Sequence, residues 1–262
     1  MSGHVVREGP DEAGVLRLTL SDPERRNPLT GEAAAALADA LEQAERLPAV
    51  RAILLTGSGE AFCAGADLRE FAATGGRPAP EAFAGGEALV RLFKLGAGLR
   101  RPLVAAVNGW ALGGGLGLVA LAHVAVASDR ARFGATEVRL GMFPMVVMPA
   151  LARAVGERRA LELGLTGRLF DAHEAQAMGL VHRVVPHDRL PEEAGAVARQ
   201  IAGWSPLAVE VGLRGWAESR DLPVGSAIEY LHALRLVLAG SDDFQEGVRA
   251  FLEKRAPQWK GR

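Results

Sequence analysis

In the stretch VLRLTL, residues 15–20, apolar and polar positions alternate, placing Leu16, Leu18 and Leu20 on one face and predicting a half-buried strand. The period then changes. After a turn at Asn27 and Pro28, GEAAAALADALEQAERL is rich in Ala, Leu and Glu and predicts a helix. VRAILLTGSG reads as a short apolar strand ending in a Gly/Ser turn, and PLVAAVNG, HVAVAS and VHRVV have the same form. Short apolar strands mixed with helices and bounded by glycines indicate an α/β chain with buried sheets, although no fixed-period repeat is legible.

Two later helices are predicted from capping boxes. Asp171 with Glu174 opens AHEAQAMG, which Gly179 closes, and Ser226 with Glu229 opens AIEYLHALRLVLAG. From about Pro191 onward the pattern is helical only. A boundary is therefore expected near 195–205, dividing a core region, 1–197, from a C-terminal helical region, 198–262.

The 262 residues suffice to bury a full core, and 49% apolar with 23% charged residues is ordinary for a globular enzyme. Thirty basic against 31 acidic side chains leave a net charge of −1, which gives no footprint for nucleic acid and requires any anionic ligand to be met locally. The one cysteine, Cys63, cannot form an intrachain disulfide, and the opening MSGHVVREGPDE lacks the apolar core of a signal peptide. A cytoplasmic protein is expected.

Residues 102–128 carry no charge and contain LGGGLGL at 112–118. The run is long enough to span a bilayer, and Gly109, Gly113 and Gly117 have GxxxG spacing. Asn108, the consecutive glycines 113–115 and the lack of a second such run argue against a membrane helix. Gly115, Gly117 and Ala120 fit a relaxed dinucleotide fingerprint with Asp129 as the ribose acid. That reading has the wrong spacing, since the fingerprint starts eight residues after the strand end expected at Val107. No G-K-[ST] follows, so a P-loop is excluded.

A third reading pairs this run with GSGEAFCAGADLRE, residues 57–70, which follows a strand and opens a helix near Asp67. A helix start leaves backbone N–H groups unpaired and carries partial positive charge. Two such donors aimed at one point make an oxyanion hole, and small residues let the reacting group approach.

AFCAGADL, VNGWALGGGLGL and ARFGATEVRLGMFP, in this order, resemble the enoyl-CoA hydratase/isomerase, or crotonase, family. SDPERRNPL and VRAFLEKR extend the resemblance over almost the whole chain. It implies a spiral of ββα units, a C-terminal helical region packing in a homotrimer or homohexamer, and CoA thioesters as substrates, with no cofactor beyond the CoA of the substrate and no metal. The implied oxyanion donors are the backbone N–H groups of Ala66 and Gly114. Family hydratases carry two glutamates. Glu137 matches one, and at the other this chain has Gly117.

Two carboxylates divide the tasks of activating water and delivering a proton, whereas one suffices to move a proton from the α to the γ carbon. The missing acid therefore leans toward 3-enoyl to 2-enoyl isomerisation. Hydration of a 2-enoyl thioester, the family's commonest activity, is placed first, because the added water could supply the proton with Glu137 as its base. A non-catalytic CoA-binding scaffold is the third alternative. Read in isolation, Glu137 would be a surface acid paired with Arg139 or Arg132; as an acid catalyst it should sit in an apolar pocket with its pKa raised.

By the same resemblance Arg25, Arg26, Ala64, Asp67 and Leu68 are expected to border the CoA moiety, though Glu24 stands where the family often has lysine. Phe251 and Lys254 are expected at the adenine and phosphates, commonly from a neighbouring subunit, and each cation read alone is a solvated surface charge. Met142, Phe143, Met145 and Val146, with Met148, are candidates for an adaptable acyl pocket, with ordinary helix core as the alternative. Cys63 is expected to be a packing residue rather than a nucleophile, and His123 to be structural. His182 and His187 lack metal-ligand spacing.

Overall fold

The computed structural model of the protein describes residues 4–67, 69, 70, 72 and 86–262. Strand β1 (Val5–Glu8) pairs antiparallel with β2 (Val15–Leu20), and helix α1 (Gly31–Arg46) follows, its first turn capped by the Thr30 hydroxyl. Next come β3 (Ala52–Gly57), β4 (Ala61–Cys63) and α2 (Glu87–Gly96), then β5 (Leu103–Val107), β6 (Trp110–Leu112) and α3 (Gly114–Leu121). After β7 (Val124–Ser128) and β8 (Arg132–Gly134) the chain forms a 3-10 turn, Thr136–Leu140, and helices α4 (Met148–Val155) and α5 (Glu157–Thr166).

After the β1–β2 pair, each successive pair of strands, β3 with β4, β5 with β6 and β7 with β8, sends its first strand into one sheet and its second into another. The larger sheet has the order β1-β2-β3-β5-β7-β10, with β10 spanning Arg183–Val185, and the smaller has β4-β6-β8-β9, with β9 spanning Leu169–Asp171. This is the implied spiral of ββα units.

The central strands of the larger sheet carry continuous apolar runs, AILL in β3, LVAAV in β5 and VAVA in β7, because both faces are covered. Ile53, Leu55, Leu103, Ala105 and Val107 face the main core against α1 and α2, while Ala52, Leu54, Val104, Ala106 and Val126 face the other way. That second face is covered by α7 (Leu190–Ala202), whose Leu190, Ala194, Ala198 and Ala202 recur every fourth residue along one stripe. The boundary expected between 197 and 198 falls inside this helix. Its residues on both sides of that point, Ala194 before it and Ala198 and Ala202 after it, pack on the same sheet face.

Helix α6 (Ala172–Ala177) is capped as predicted, with Asp171 Oδ1 accepting from the Glu174 N–H at 2.8 Å. The second predicted box fails: α9 (Val224–Ala239) has Pro223 as its N-cap, and Ser226 lies inside the helix. Proline, with its fixed φ and no N–H, starts the helix before the serine is reached. Helices α8 (Pro206–Ser219), α9 and α10 (Asp242–Leu252) form the outlying region, and α9 buries none of its side chains in the chain.

The uncharged run at 102–128 is divided among β5, β6, α3 and β7, and no helix among the described residues is long and apolar enough to cross a membrane. The glycine run directly follows a strand, the short β6, rather than lying eight residues beyond one. The spacing objection to a nucleotide loop therefore falls, and the charge around the loop must decide.

Candidate active site

Strands β4, β6 and β8 run parallel, with Cys63 opposite Ala111 and Leu112 opposite Gly134. The segments leaving their carboxyl ends, 64–66, 113–117 and 135–137, consequently emerge at one edge of the small sheet, the end at which parallel sheets hold ligands. They are in contact. Gly65 has φ +89°, and a Cβ on it would lie 2.8 Å from the Leu112 carbonyl oxygen and 3.7 Å from Gly113 Cα. Gly113 has φ +50°, and a Cβ there would lie 3.0 Å from Glu137 Oε1. Only glycine combines these backbone angles with this closeness.

Neighbouring donors are occupied: the Ala64 N–H donates to Arg26 O at 3.0 Å and the Gly113 N–H to Gly134 O at 2.9 Å. The N–H groups of Ala66 and of Gly114, the first residue of α3, have no acceptor among the described residues. Leu29 ties the two turns together. Its N–H donates to Gly65 O at 2.7 Å, and its side chain lies where a Cβ on Gly114 would come within 2.9 Å.

Glu137 sits half-buried in the first 3-10 turn after β8. Its Oε2 is buried and has no hydrogen-bond partner among the described residues. Neither Arg132 nor Arg139 forms an ion pair with it among the described residues; Arg132 donates to Ala131 O instead. Desolvation therefore raises its pKa above the usual carboxylate range, opposed slightly by its own backbone N–H. A carboxylate this close to the start of α3 would repel a phosphate, which disfavours a nucleotide loop. A neutral carbonyl that gains negative charge at the two N–H groups while exchanging a proton with Glu137 fits the same arrangement.

The position without the second glutamate is filled. A Cβ on Gly117 would lie 2.5 Å from Phe93 Cε1 and Cζ and 3.2 Å from Val147 Cγ2. Sequence reasoning singled out Gly117 but missed Phe93, because a contact between helices 24 residues apart leaves no local signal. It also gave Asn27 and Asn108 no site role. Both are buried, and each donates to Ala61 O, at 2.7 and 3.1 Å, fixing the entry to β4.

The residues expected around CoA are only partly gathered. Arg25 bonds Asp67 Oδ2 at 3.0 Å, which places it beside the Ala66 turn, but it also bonds Asp22, so two carboxylates already face its charge. Arg26 is exposed with φ +61°, and the Ala64 carbonyl has no donor among the described residues. Leu68 lies outside the described residues. Phe251, 82% exposed, and Lys254 sit at the end of α10, where the Lys254 N–H donates to Phe251 O.

The four acyl-pocket candidates do not form one pocket. Met142 and Met145 are 48% and 72% exposed, Phe143 packs at Gly164, and Val146 faces a separate groove beside α2. The 3-10 turn at 136–140 swings the methionines outward instead of continuing as a core helix. Cys63 is fully buried, and burial pushes its thiol up to about 12, so it is a packing residue. His123 Nδ1 accepts from the Leu103 N–H at 2.9 Å and His182 Nδ1 from the Ala125 N–H at 3.1 Å, both structural roles at strand starts.

A family model described as enoyl-CoA hydratase/isomerase matches residues 10–262. A mevalonyl-coenzyme A hydratase of Aspergillus fumigatus is 39% identical, over 94% of this chain and 91% of that protein. A 2,3-dehydroadipyl-CoA hydratase of Escherichia coli is 36% identical, over 95% of this chain and 96% of that protein. Among solved structures, an enoyl-CoA hydratase from Mycobacterium smegmatis superposes with a TM-score of 0.91 at 33% identity, covering 98% of both chains.

Proposed function

Because the chain belongs to the enoyl-CoA hydratase/isomerase family, we propose that it adds water across the double bond of a 2-enoyl-CoA thioester. The observation that carries the reading is Glu137, whose buried Oε2 has no partner among the described residues and whose Oε1 approaches Gly113, the residue before the unpaired Gly114 N–H. The names of its hydratase relatives agree with it.

In this scheme Glu137 takes a proton from a bound water as the hydroxyl attacks the β carbon. The electron pair of the double bond moves to the thioester oxygen, which the Ala66 and Gly114 N–H groups hold as an enolate. Glu137 then returns the same proton to the α carbon, so both hydrogen and hydroxyl come from one water. Each such donor is worth roughly a hundredfold to a thousandfold in rate.

The filled space at Gly117 favours a second reading, 3-enoyl to 2-enoyl isomerisation, because Phe93 and Val147 supply no second acid or polar group to position water. There Glu137 removes an α proton and returns it at the γ carbon. Paired 2-enoyl and 3-enoyl thioesters in deuterated water separate the two. A 3-hydroxyacyl product establishes hydration, and a shifted double bond establishes isomerisation, with protium retained at the γ carbon to the extent that the proton on Glu137 does not exchange with solvent. Tight acyl-CoA binding without turnover of either substrate would overturn both in favour of a binding scaffold.

A homotrimer, or a dimer of trimers, is part of the same reading. Its support is the apolar surface on the outlying helices, including Ile228, Leu236, Val237 and Phe251, exposed in the single chain. In such an assembly Phe251 and Lys254 would serve a neighbour's CoA. Light scattering that returns a monomer would refute it.

A further inference from the structure

Beside the Glu137 site, and separate from it, an apolar groove of about 470 Å³ runs between α2, α3, α4 and α8. Val90, Leu121, Val146, Ala150 and Trp216 line it together with Phe93. Phe93 is the residue common to the two places: its ring edge fills the space over Gly117, and the same side chain forms the inner wall of the groove. Gly117 lies one helical turn beyond Gly114 on α3, about 4.5 Å along the axis, and Leu121 lies about 10 Å along it. A chain leaving the thioester carbonyl along α3 therefore meets the ring first and the groove behind it.

We propose that Phe93 sets the acyl length that this enzyme accepts, restricting it to short chains by walling the Glu137 site off from the groove. The inference rests on the thioester reading above. Phe93 is only 7% exposed, and its ring together with Val147 fills the space over Gly117, so the wall is packed in place. The groove behind it is lined mostly by aliphatic and aromatic side chains, the surface on which an alkyl chain would be buried if it could enter. Burying each methylene there would raise affinity about fourfold. With the wall in place, extra methylenes gain nothing.

The test compares crotonyl-CoA with 2-decenoyl-CoA, or the matching 3-enoyl pair if isomerisation is the activity found. The wild type should prefer the short substrate. Phe93→Ala should shift the ratio of kcat/KM at least tenfold toward the long one, and Phe93→Leu, which keeps a large apolar side chain, should shift it less. Adding Val90→Phe to Phe93→Ala narrows the groove and should reverse part of the shift. An unchanged ratio in folded Phe93→Ala or Phe93→Leu overturns the proposal.

Calorimetry on the wild type needs neither a variant nor turnover. Butyryl-CoA and decanoyl-CoA should bind within a few-fold of each other, and a rise of about fourfold per methylene would show an open groove and overturn the wall. Failure of the wild type to turn over any enoyl thioester refutes the reaction assigned above, while the calorimetric comparison still decides the wall. Absence of binding by either thioester overturns both.

Discussion

Restoring the absent acid by Gly117→Glu should fail, and the structure gives the size of the failure. A Cβ at 117 would lie 2.5 Å from two atoms of the Phe93 ring and 3.2 Å from Val147 Cγ2, inside a packed core, so something must move. For Gly117→Ala the overpacking costs about 1–3 kcal/mol, against a gain of about 1 kcal/mol from replacing glycine within a helix. The net loss is about 1 kcal/mol, or roughly 2–4 °C in Tm for a chain of this size. Gly117→Glu also brings a carboxylate among apolar side chains, so its loss should exceed about 3 kcal/mol. Phe93→Ala alone should cost about 3–5 kcal/mol, but in Phe93→Ala/Gly117→Ala the new methyl enters the space vacated by the ring. The double variant should therefore be more stable than the sum of the singles predicts, by about 1 kcal/mol or more. Urea unfolding of the four proteins measures this cycle, and a hydration assay follows function in parallel. Additive losses, or a Gly117→Glu protein as stable as the wild type with faster hydration, would refute the reasoning.

Glu137→Gln should lower turnover at least tenfold with no loss of Tm, since a buried charge is removed; equal activity would take Glu137 out of the mechanism. Because burial raises the Glu137 pKa, the base form should be lost, and kcat/KM should fall, at a pH above the ordinary carboxylate range as the solution is acidified. The sign is opposite for stability: the folded state holds this proton more tightly than the unfolded one, so the contribution is fully present at low pH and lost as pH rises through the raised pKa. The stabilising effect of Glu137→Gln should accordingly shrink on acidification in the same urea assay. Asn27→Ala should cost about 2–4 kcal/mol in urea unfolding, because Asn27 is 2% exposed and donates to Ser58 O and Ala61 O while accepting from the Asp22 N–H. Asn27→Gly should recover the part due to the backbone, whose φ is +54°. Cys63 should resist iodoacetamide at pH 8 until the chain is unfolded, since burial holds the thiol near 12; rapid native labelling would contradict that burial.

The larger sheet was legible because its central strands carry unbroken apolar runs, and α1 because its Ala-, Leu- and Glu-rich helix formers follow a turn at Asn27 and Pro28. The smaller sheet was not. Its strands have three residues each, too few for alternation to show, and their pairing joins distant parts of the chain. For the same reason the strand before the glycine run, β6, went unseen and the spacing argument built on Val107 failed. Ala66, Gly114 and Glu137 were placed together by ordered resemblance, and the close approaches at Gly65 and Gly113 supply its physical reason. Phe93 and Leu29 act only through contacts made across the fold, and no pattern in one sequence announces such contacts.

The division of successive strands between two sheets also bears on how the chain folds. Every rung of the small sheet joins segments separated by at least the length of a helix, so β4, β6 and β8 must wait for intervening chain before they can pair. Such nonlocal closure is slow. On a ribosome the Ala66 turn emerges well before Glu137, and β8 has its antiparallel partner only once residue 171 has been made. The reactive carboxylate should thus be among the last groups to reach its place, and a pulse of hydrogen exchange during refolding should find the local β1–β2 pair protected before β6 and β8.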